Sequence, residues 1–392
     1  MKKCKAGEHP ALFYKGEKCM QPELTTLCYI EQDDKYLMLH RVKKEHDINK
    51  DKWIGIGGHF EGTESPEECL LREVWEETGL TLTDYRFRGL VTFVSGEECL
   101  EYMALYTATG FTGDMLPCDE GTLEWVDKEA VYGLNLWAGD KLFFRLLEED
   151  RPFFSLKLVY DRSGILREAC LDGKKLELLD VLSEEPLETY EEELARSGKL
   201  GCEPDEVSYI GNGEELLPVV EVQERDTVHR LGLLHATAHI WVVRNNSSEV
   251  LLQRRSLSKD SNPGCWDLSS AGHIDAGDEK LESAIRELRE ELGIHAAPSE
   301  MRYIGYTRRK AWKPFYGKQW LDNQISYMYV FSGTVDTSAL CLQAEEVEEV
   351  RWMPIEELDD RIQNDPEFRH CLNPVEVRFL KDMCLMPGEE FT

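Results

Sequence analysis

Two stretches of this chain carry chemistry on their face. GGHFEGTESPEECLLREVWEETGL runs from Gly57 to Leu80, and AGHIDAGDEKLESAIRELREELGI runs from Ala271 to Ile294. Each is a glycine turn followed by a run with glutamates bunched at its end. At helical spacing Leu70, Leu71, Val74 and Thr78 share one side of the first run, and Glu73, Glu76 and Glu77 gather on another. In the second, Leu281, Ala284, Ile285, Leu288 and Leu292 form the apolar stripe, with Glu287, Glu290 and Glu291 on the carboxylate side. Like charges at these spacings cost an isolated helix a few tenths of a kcal/mol per pair. Hard cations with a preference for oxygen ligands are the natural compensation, and a solvated acidic face is the alternative.

The elements that must position these groups are readable. Ser65 caps the first helix, with Pro66 at its first position, Glu68 as the reciprocal capping partner and Gly79 as its stop. Ahead of it, LTTLCYIEQDDKYLMLHRV reads as two strands around Asp33 and Asp34, and RFRGLVTFVSGEECLEYMALYTATGF after it reads as a meander. HATAHIWVVRNNSSEVLLQRRS repeats the strand, turn, strand outline around Asn245 to Ser248. This is a repeat of whole-domain size. Between the copies the chain is charge-rich and broken by Pro186, Gly198, Gly201, Pro204, Gly211 and Gly213. The expected organisation is a first domain over 1–182, an acidic linker over 183–213 and a second domain over 214–392.

The full spacing is a glycine, five residues, an acid, seven residues, then Arg-Glu, an apolar residue, any residue, Glu-Glu, any residue, Gly and an apolar residue. Gly58, Glu64, Arg72, Glu73, Val74, Glu76, Glu77, Gly79 and Leu80 meet it throughout. Gly272, Asp278, Arg286, Glu287, Leu288, Glu290, Glu291, Gly293 and Ile294 meet it with Asp278 in place of a glutamate. This pattern resembles the signature of the Nudix hydrolases. The resemblance implies an α/β class, with two α/β/α sandwiches, each a mixed β-sheet between helices. It also implies Mg2+ or Mn2+ held by the signature against a diphosphate. Carboxylates supply the oxygen ligands, and the ions activate a water that attacks phosphorus. The carbonyl of Gly57 is a further candidate ligand. By the same resemblance Arg72 and Glu64 brace the first loop and orient Glu73, and Arg286 serves the second copy. A carboxylate beyond the signature is expected at Glu120 in the first copy, and at Glu345 or, preferred, Glu346 in the second.

The first copy is similar to MutT-type oxidised-purine nucleoside triphosphate diphosphatases over most of residues 23 to 160. That similarity places Trp137 and Asp140 on the purine, an aromatic face for stacking and a carboxyl group for the base edge. Ile54 and Gly139 depart from that group's base-reading set. The second copy is similar to isopentenyl-diphosphate isomerase-like Nudix proteins through VHRLGLLHATAHIWVV and LLQRRSLSKDSNPGCWDLSSAGHI. Ser270 and Gln324 stand where isomerases use a cysteine and a glutamate, which disfavours proton transfer to carbon. His235, His273 and Asp322 fall near the isomerases' metal-ligand positions. RRKAWKPFYGKQW gathers Arg308, Arg309, Lys310, Lys313 and Lys318 with Trp312, Tyr316 and Trp320, suited to a nucleotide or sugar diphosphate, or to an ordinary exposed hairpin.

Composition sets the outer limits. At 392 residues two domains are expected. A formal charge of −31, from 45 basic and 76 acidic residues, repels nucleic-acid polymers and anionic membranes, and leaves small anionic substrates bridged by cations. No apolar run reaches membrane-spanning length, no signal peptide is evident, and the 12 cysteines form no Cys-x-x-Cys pair, so the expected location is the cytoplasm with reduced thiols. The expected activity is magnesium-dependent hydrolysis of nucleoside-diphosphate-linked substrates. The first domain would convert a nucleoside triphosphate to monophosphate and pyrophosphate, and the second would act as a separate diphosphate hydrolase. The alternatives for the second domain are a ligand-binding regulatory module or retained isomerase-type activity. Oligomeric state is left open.

Overall fold

Asp33 and Asp34 both take left-handed backbone, with φ of 50° and 61°, and fold Glu23–Gln32 (β1) back onto Lys35–His40 (β2) as a tight hairpin. The computed structural model describes residues 22–43, 48–96, 99–183, 206–211, 217–244, 248–259, 261–315 and 318–385. Its contacts divide the chain into two units, Met1–Asn135 with Pro152–Gly164, and Leu136–Arg151 with Ile165–Thr392.

In the first unit, Trp53–Ile54 (β3) lies beside β2, and the helix Pro66–Thr78 (α1) leads into Thr81–Ser95 (β4) and Cys99–Thr112 (β5). Thr122–Asp127 (β6) pairs with the other edge of β2. β1 runs parallel to β5 and antiparallel to β2, so the sheet is mixed. Phe154–Tyr160, the β7 strand, adds parallel to β4. Cys28 and Ile30 of β1 and Leu37 and Leu39 of β2 pack against Leu70 and Val74 of α1. The capping box is formed in full: Glu68 N donates to Ser65 Oγ, and Ser65 N donates to the Glu68 carboxylate. Gly79 ends the helix with φ of 76°. Leu71 departs from the expected stripe and is exposed, whereas Glu77 is buried with Leu70, Val74 and Thr78.

The second unit contains Ala138–Glu148 (α2), Leu166–Leu171 (β8), Lys174–Lys175 (β9) and Leu178–Leu182 (β10). Glu206–Gly211 (β11) and Val219–Glu224 (β12) follow, then Arg225–Leu231 (α3), His235–Arg244 (β13) and Glu249–Arg255 (β14). Trp266–Asp267 (β15), Ser270–His273 (β16) and Lys280–Leu292 (α4) rebuild the turn and helix of the first copy. Met301–Phe315 (β17), Lys318–Phe331 (β18) and Val347–Pro354 (β19) precede Ile355–Asn364 (α5) and Pro374–Leu385 (α6).

β13 is parallel to β18 and antiparallel to β14, β16 and β10, again a mixed sheet. Alternation along β13 sorts its two faces. Ala236, Ala238, Ile240 and Val242 meet Ala284, Leu288 and Leu292 of α4. Trp241 and Val243 meet Ile355 and Leu358 of α5 and Val377 and Leu380 of α6. This sheet is therefore sandwiched between helices, and the α/β class holds. Two segments extend it beyond the repeat. β10, which precedes the acidic stretch, pairs with β12, and β11, within 183–213, pairs with β17. The rest of the linker after Ser183, the run Glu191 to Glu193 included, lies outside the described residues, as does Tyr316 of the basic stretch.

Candidate active sites and a histidine cluster

In the first copy the strand that begins at β3 continues along β1. Cys28 and Ile56 exchange backbone hydrogen bonds, and Thr26 N donates to Gly58 O at 2.9 Å. This lays the two glycines against α1. A β-carbon on Gly57 would sit 2.0 Å from Thr26 O, and one on Gly58 would sit 2.5 Å from the Glu73 carboxylate. Both positions therefore admit only glycine without rearrangement. Gly57 N donates to Glu77 Oε2 at 3.0 Å. Burial pushes the Glu77 carboxyl up to about 8, and the charges of Glu120 and Glu73 push the same way against the Gly57 hydrogen bond.

Arg72 clasps Glu64 through Nε at 2.7 Å and Nη2 at 2.9 Å. Its Nη1 reaches Glu73 at 2.7 Å and Glu76 at 3.0 Å, and Nη2 also donates to His59 O. The Arg72 hydrogen bonds hold Glu64 down at about 2. Glu120, in the loop before β6, pairs with Arg41.

The second copy repeats the buried glutamate. Glu291 Oε2 accepts from Ala271 N at 3.2 Å and from Gln253 Nε2 at 3.3 Å. Burial raises Glu291 to about 8, with Glu287 and Glu346 adding to the rise. Glu287 is raised to about 7, chiefly by burial, and a β-carbon on Gly272 would sit 2.2 Å from its Cδ. Glu346 pairs with Lys259, and its charge acts on both Glu287 and Glu291. Glu290 is half exposed, 3.5 Å from Arg289.

Oxygen donors clustered beside a buried carboxylate and crowded glycines suit a hard divalent ion. In each copy the raised carboxyls belong to groups whose mutual repulsion a cation would relieve. Among the described residues, however, the set of potential metal ligands that converges is not a carboxylate set of either signature. Arg72 and Arg41 hold Glu73, Glu76 and Glu120 by ion pairs instead.

A different set does converge. The ligand atoms of His229, His235 and His273 lie within 4.8 Å of one another. His229 Nδ1 meets Arg225 O at 2.8 Å and His235 Nδ1 meets Leu233 O at 3.1 Å. Carbonyls only accept, so both Nδ1 atoms carry the proton and each Nε2 keeps a lone pair. His235 Nε2 is buried with no hydrogen-bond partner, and the Nε2 atoms of His229 and His273 stand 3.3 Å apart. Burial pushes all three imidazoles down, His235 to about 4. Neutral imidazoles around an orphaned lone pair are the donor set of a borderline transition ion such as zinc. Asp322 is buried and its charge acts on His229 and His235. His229 escapes a reading of the sequence because it sits on a seven-residue helix with no ligand spacing of its own. The pairing of β13 with β16 turns Ser270 towards the Ile240 face and places Ala271 beside His273 on the other. The side chain next to the histidines on this strand is thus a methyl group. Gln324 Nε2 donates to Ser326 Oγ at 3.2 Å.

Trp137 and Asp140 are buried at the start of α2, which belongs to the second unit. Lys141 and Arg145 of that helix pair with Glu221 and Glu224. Arg308 of the basic stretch donates to Asn323 Oδ1 at 3.0 Å.

The NUDIX domain model matches residues 21–147 and 233–372, together more than half of the chain. A protein of Clostridium acetobutylicum described as an uncharacterised Nudix hydrolase is 35% identical over 154 residues, covering 37% of this chain and 72% of that protein. An isopentenyl-diphosphate Delta-isomerase of Escherichia coli is 33% identical over 120 residues, 31% of this chain and 62% of its own length. The oxidized purine nucleoside triphosphate hydrolase of Danio rerio is 29% identical over 132 residues, 33% of this chain and 83% of that enzyme. Among the described residues no helix is long and apolar enough to cross a membrane. Family model, repeated signature and the two mixed sheets agree: the chain belongs to the Nudix hydrolases, enzymes that generally use divalent metal ions on small nucleotide or diphosphate substrates, and it carries the domain twice.

Proposed function

We propose that the first copy hydrolyses a nucleoside triphosphate to the monophosphate and pyrophosphate with Mg2+, or Mn2+ in its place, and that the second copy is a separate diphosphate hydrolase. The observation that carries this reading is the buried Glu77 on the Gly57 N–H, with Glu73 and Glu120 beside it, and its counterpart Glu291 on Ala271 N. Glu73, Glu76, Glu77 and Glu120 would hold the ion, as would Glu287, Glu290, Glu291 and Glu346. When bound, the ion neutralises the diphosphate and lowers the pKa of a water molecule. The water oxygen bonds to phosphorus as the bridging P–O bond breaks, and the water proton passes to a carboxylate of the cluster. Arg72 keeps Glu73 aimed through the Glu64 clasp.

For the base, the similarity to the Danio rerio enzyme supports a purine. For the second copy, Ala271 beside the histidines and Gln324 leave no titratable pair for alkene protonation, which favours hydrolysis over isomerisation. The convergence of His229, His235 and His273 supports a second reading, in which this domain holds a transition ion and acts as a ligand-binding regulator. The test is full-length protein against nucleoside triphosphates, oxidised triphosphates, ADP-ribose, sugar nucleotides and prenyl diphosphates, with E76Q and E290Q assigning each product to a copy. Phosphate products that survive both substitutions would refute the hydrolytic reading. A positional isomer of a prenyl diphosphate would refute the case against isomerisation.

A further inference from the structure

The two copies brace their signature arginines differently. Arg72 holds Glu64 with two parallel hydrogen bonds, at 2.7 and 2.9 Å. In the second copy the corresponding acid, Asp278, is one methylene shorter and stands 3.9 Å from Arg286 Nη2. That is beyond hydrogen-bond range, and the buried Arg286 Nε has no hydrogen-bond partner. Arg286 Nη1 instead donates to Asp275 Oδ2 at 2.9 Å. Asp275 occupies the place that Glu61 has in the first turn: Asp278 N donates to Asp275 O as Glu64 N donates to Glu61 O.

The main chain of Asp275 is itself tied down from outside the signature. Leu179 and Asp275 form an antiparallel bridge, Ala276 N donates to Leu178 O at 2.9 Å, and Gly277 N donates to Asp180 Oδ2 at 3.0 Å. All three partners lie on β10. Arg286 then stands 3.4 Å from Glu287 Oε1 and donates to His273 O at 3.3 Å.

We infer that Asp275, on a turn pinned by β10, is the positioning residue that orients Arg286, and through it Glu287, in place of the shortened Asp278. The inference rests on the reading of Glu287, Glu290 and Glu291 as a metal-binding cluster. The cause is geometric: a charge-assisted hydrogen bond needs contact, and the side chain that makes contact is Asp275.

The test is Mn2+ affinity, read as free Mn2+ by electron paramagnetic resonance. The full chain carries E73Q, E76Q and H235A, so that the second carboxylate cluster dominates uptake. D275N should weaken Mn2+ binding by about tenfold or more, the range for a residue that orients a ligand, whereas D278N should change it by less than about twofold. D275N/D278E, which lengthens the second acid towards the bare Nε, should recover most of the loss, with unchanged circular-dichroism melts as the folding control. An unaltered affinity in D275N, or a double variant as weak as D275N alone, overturns the inference. If E290Q in the same background leaves uptake unchanged, the cluster reading falls and the inference with it. If E290Q abolishes uptake while D275N does not, the inference alone fails.

Discussion

The carboxylate of Glu77 lies 3.0 Å from the amide nitrogen of Gly57, on a residue only 8% exposed. A backbone dipole thus supports an ionisable group at a depth where its ionised form is disfavoured, and Glu291 on Ala271 repeats the arrangement. On the proposed reading, each pair favours a cation at the glycine turn.

Stability should report that preference. Glu77 and Glu291 are raised from 4.5 to about 8, and Glu287 to about 7. Carboxyls that keep their protons more tightly in the folded state favour folding fully below the unfolded pKa, and lose that contribution as pH rises through the folded one. Below about pH 6.5 the three buried imidazoles, held down by burial, oppose this loss. In EDTA, Tm should therefore fall between about pH 6.5 and about pH 8, and Mg2+ or Mn2+ should flatten the fall by favouring the ionised forms. Calorimetric scans across this range with and without metal make the measurement, and a flat metal-free profile would contradict it.

Replacing Glu76 with Gln should lower triphosphate turnover by about 10²–10⁴-fold, the range for a group that acts at the reacting centre. Its side chain is half exposed, so the melting temperature should stay nearly constant. Steady-state kinetics alongside a thermal melt distinguish lost chemistry from lost fold.

Gly58→Ala tests the crowding directly. Its new methyl group would meet the Glu73 carboxylate, so Glu73 must move and Arg72 must follow. Metal-dependent activity should drop about 10–100-fold through misplaced support. Gly272→Ala should do the same to the second copy through Glu287, and a crystal structure of either variant would show the displaced carboxylate.

His235→Ala should release a tightly held transition ion. Plasma mass spectrometry of dialysed protein should find that ion in the parent chain and in Glu76→Gln, and much less in His235→Ala or His229→Ala. A chelator should lower the parent's Tm more than the variant's, because bound metal stabilises only the state that holds it. Equal metal content in all four proteins would remove the histidine centre.

The sequence was enough for whatever depends on neighbours along the chain. Ser65, Pro66, Glu68 and Gly79 bound a helix by local hydrogen bonding and backbone preference, and Asp33 and Asp34 turn a hairpin for the same reason. The spacing of Gly58 and Glu73 or of Gly272 and Glu287 is visible because both members lie in one short segment. Burial was less legible. Leu71 faces outward and Glu77 inward, since the sheet and the glycine turn decide which part of a helix is covered, and helical periodicity gives only the relative angles.

Contacts between distant segments were beyond it. The turn before β19 sets the charge of Glu346 against Glu287 and Glu291, a proximity that chain order does not give. His229 joins His235 and His273 because α3 folds beside β13 and β16. Asp275 meets Arg286 because β10 clamps the turn. Residue types and local spacing determined that this chain has two sets of acidic side chains behind glycine turns. Which side chains meet, and which cation each meeting suits, was decided by tertiary packing, because ion pairing and coordination depend on distances of a few ångströms between groups that the chain order leaves far apart.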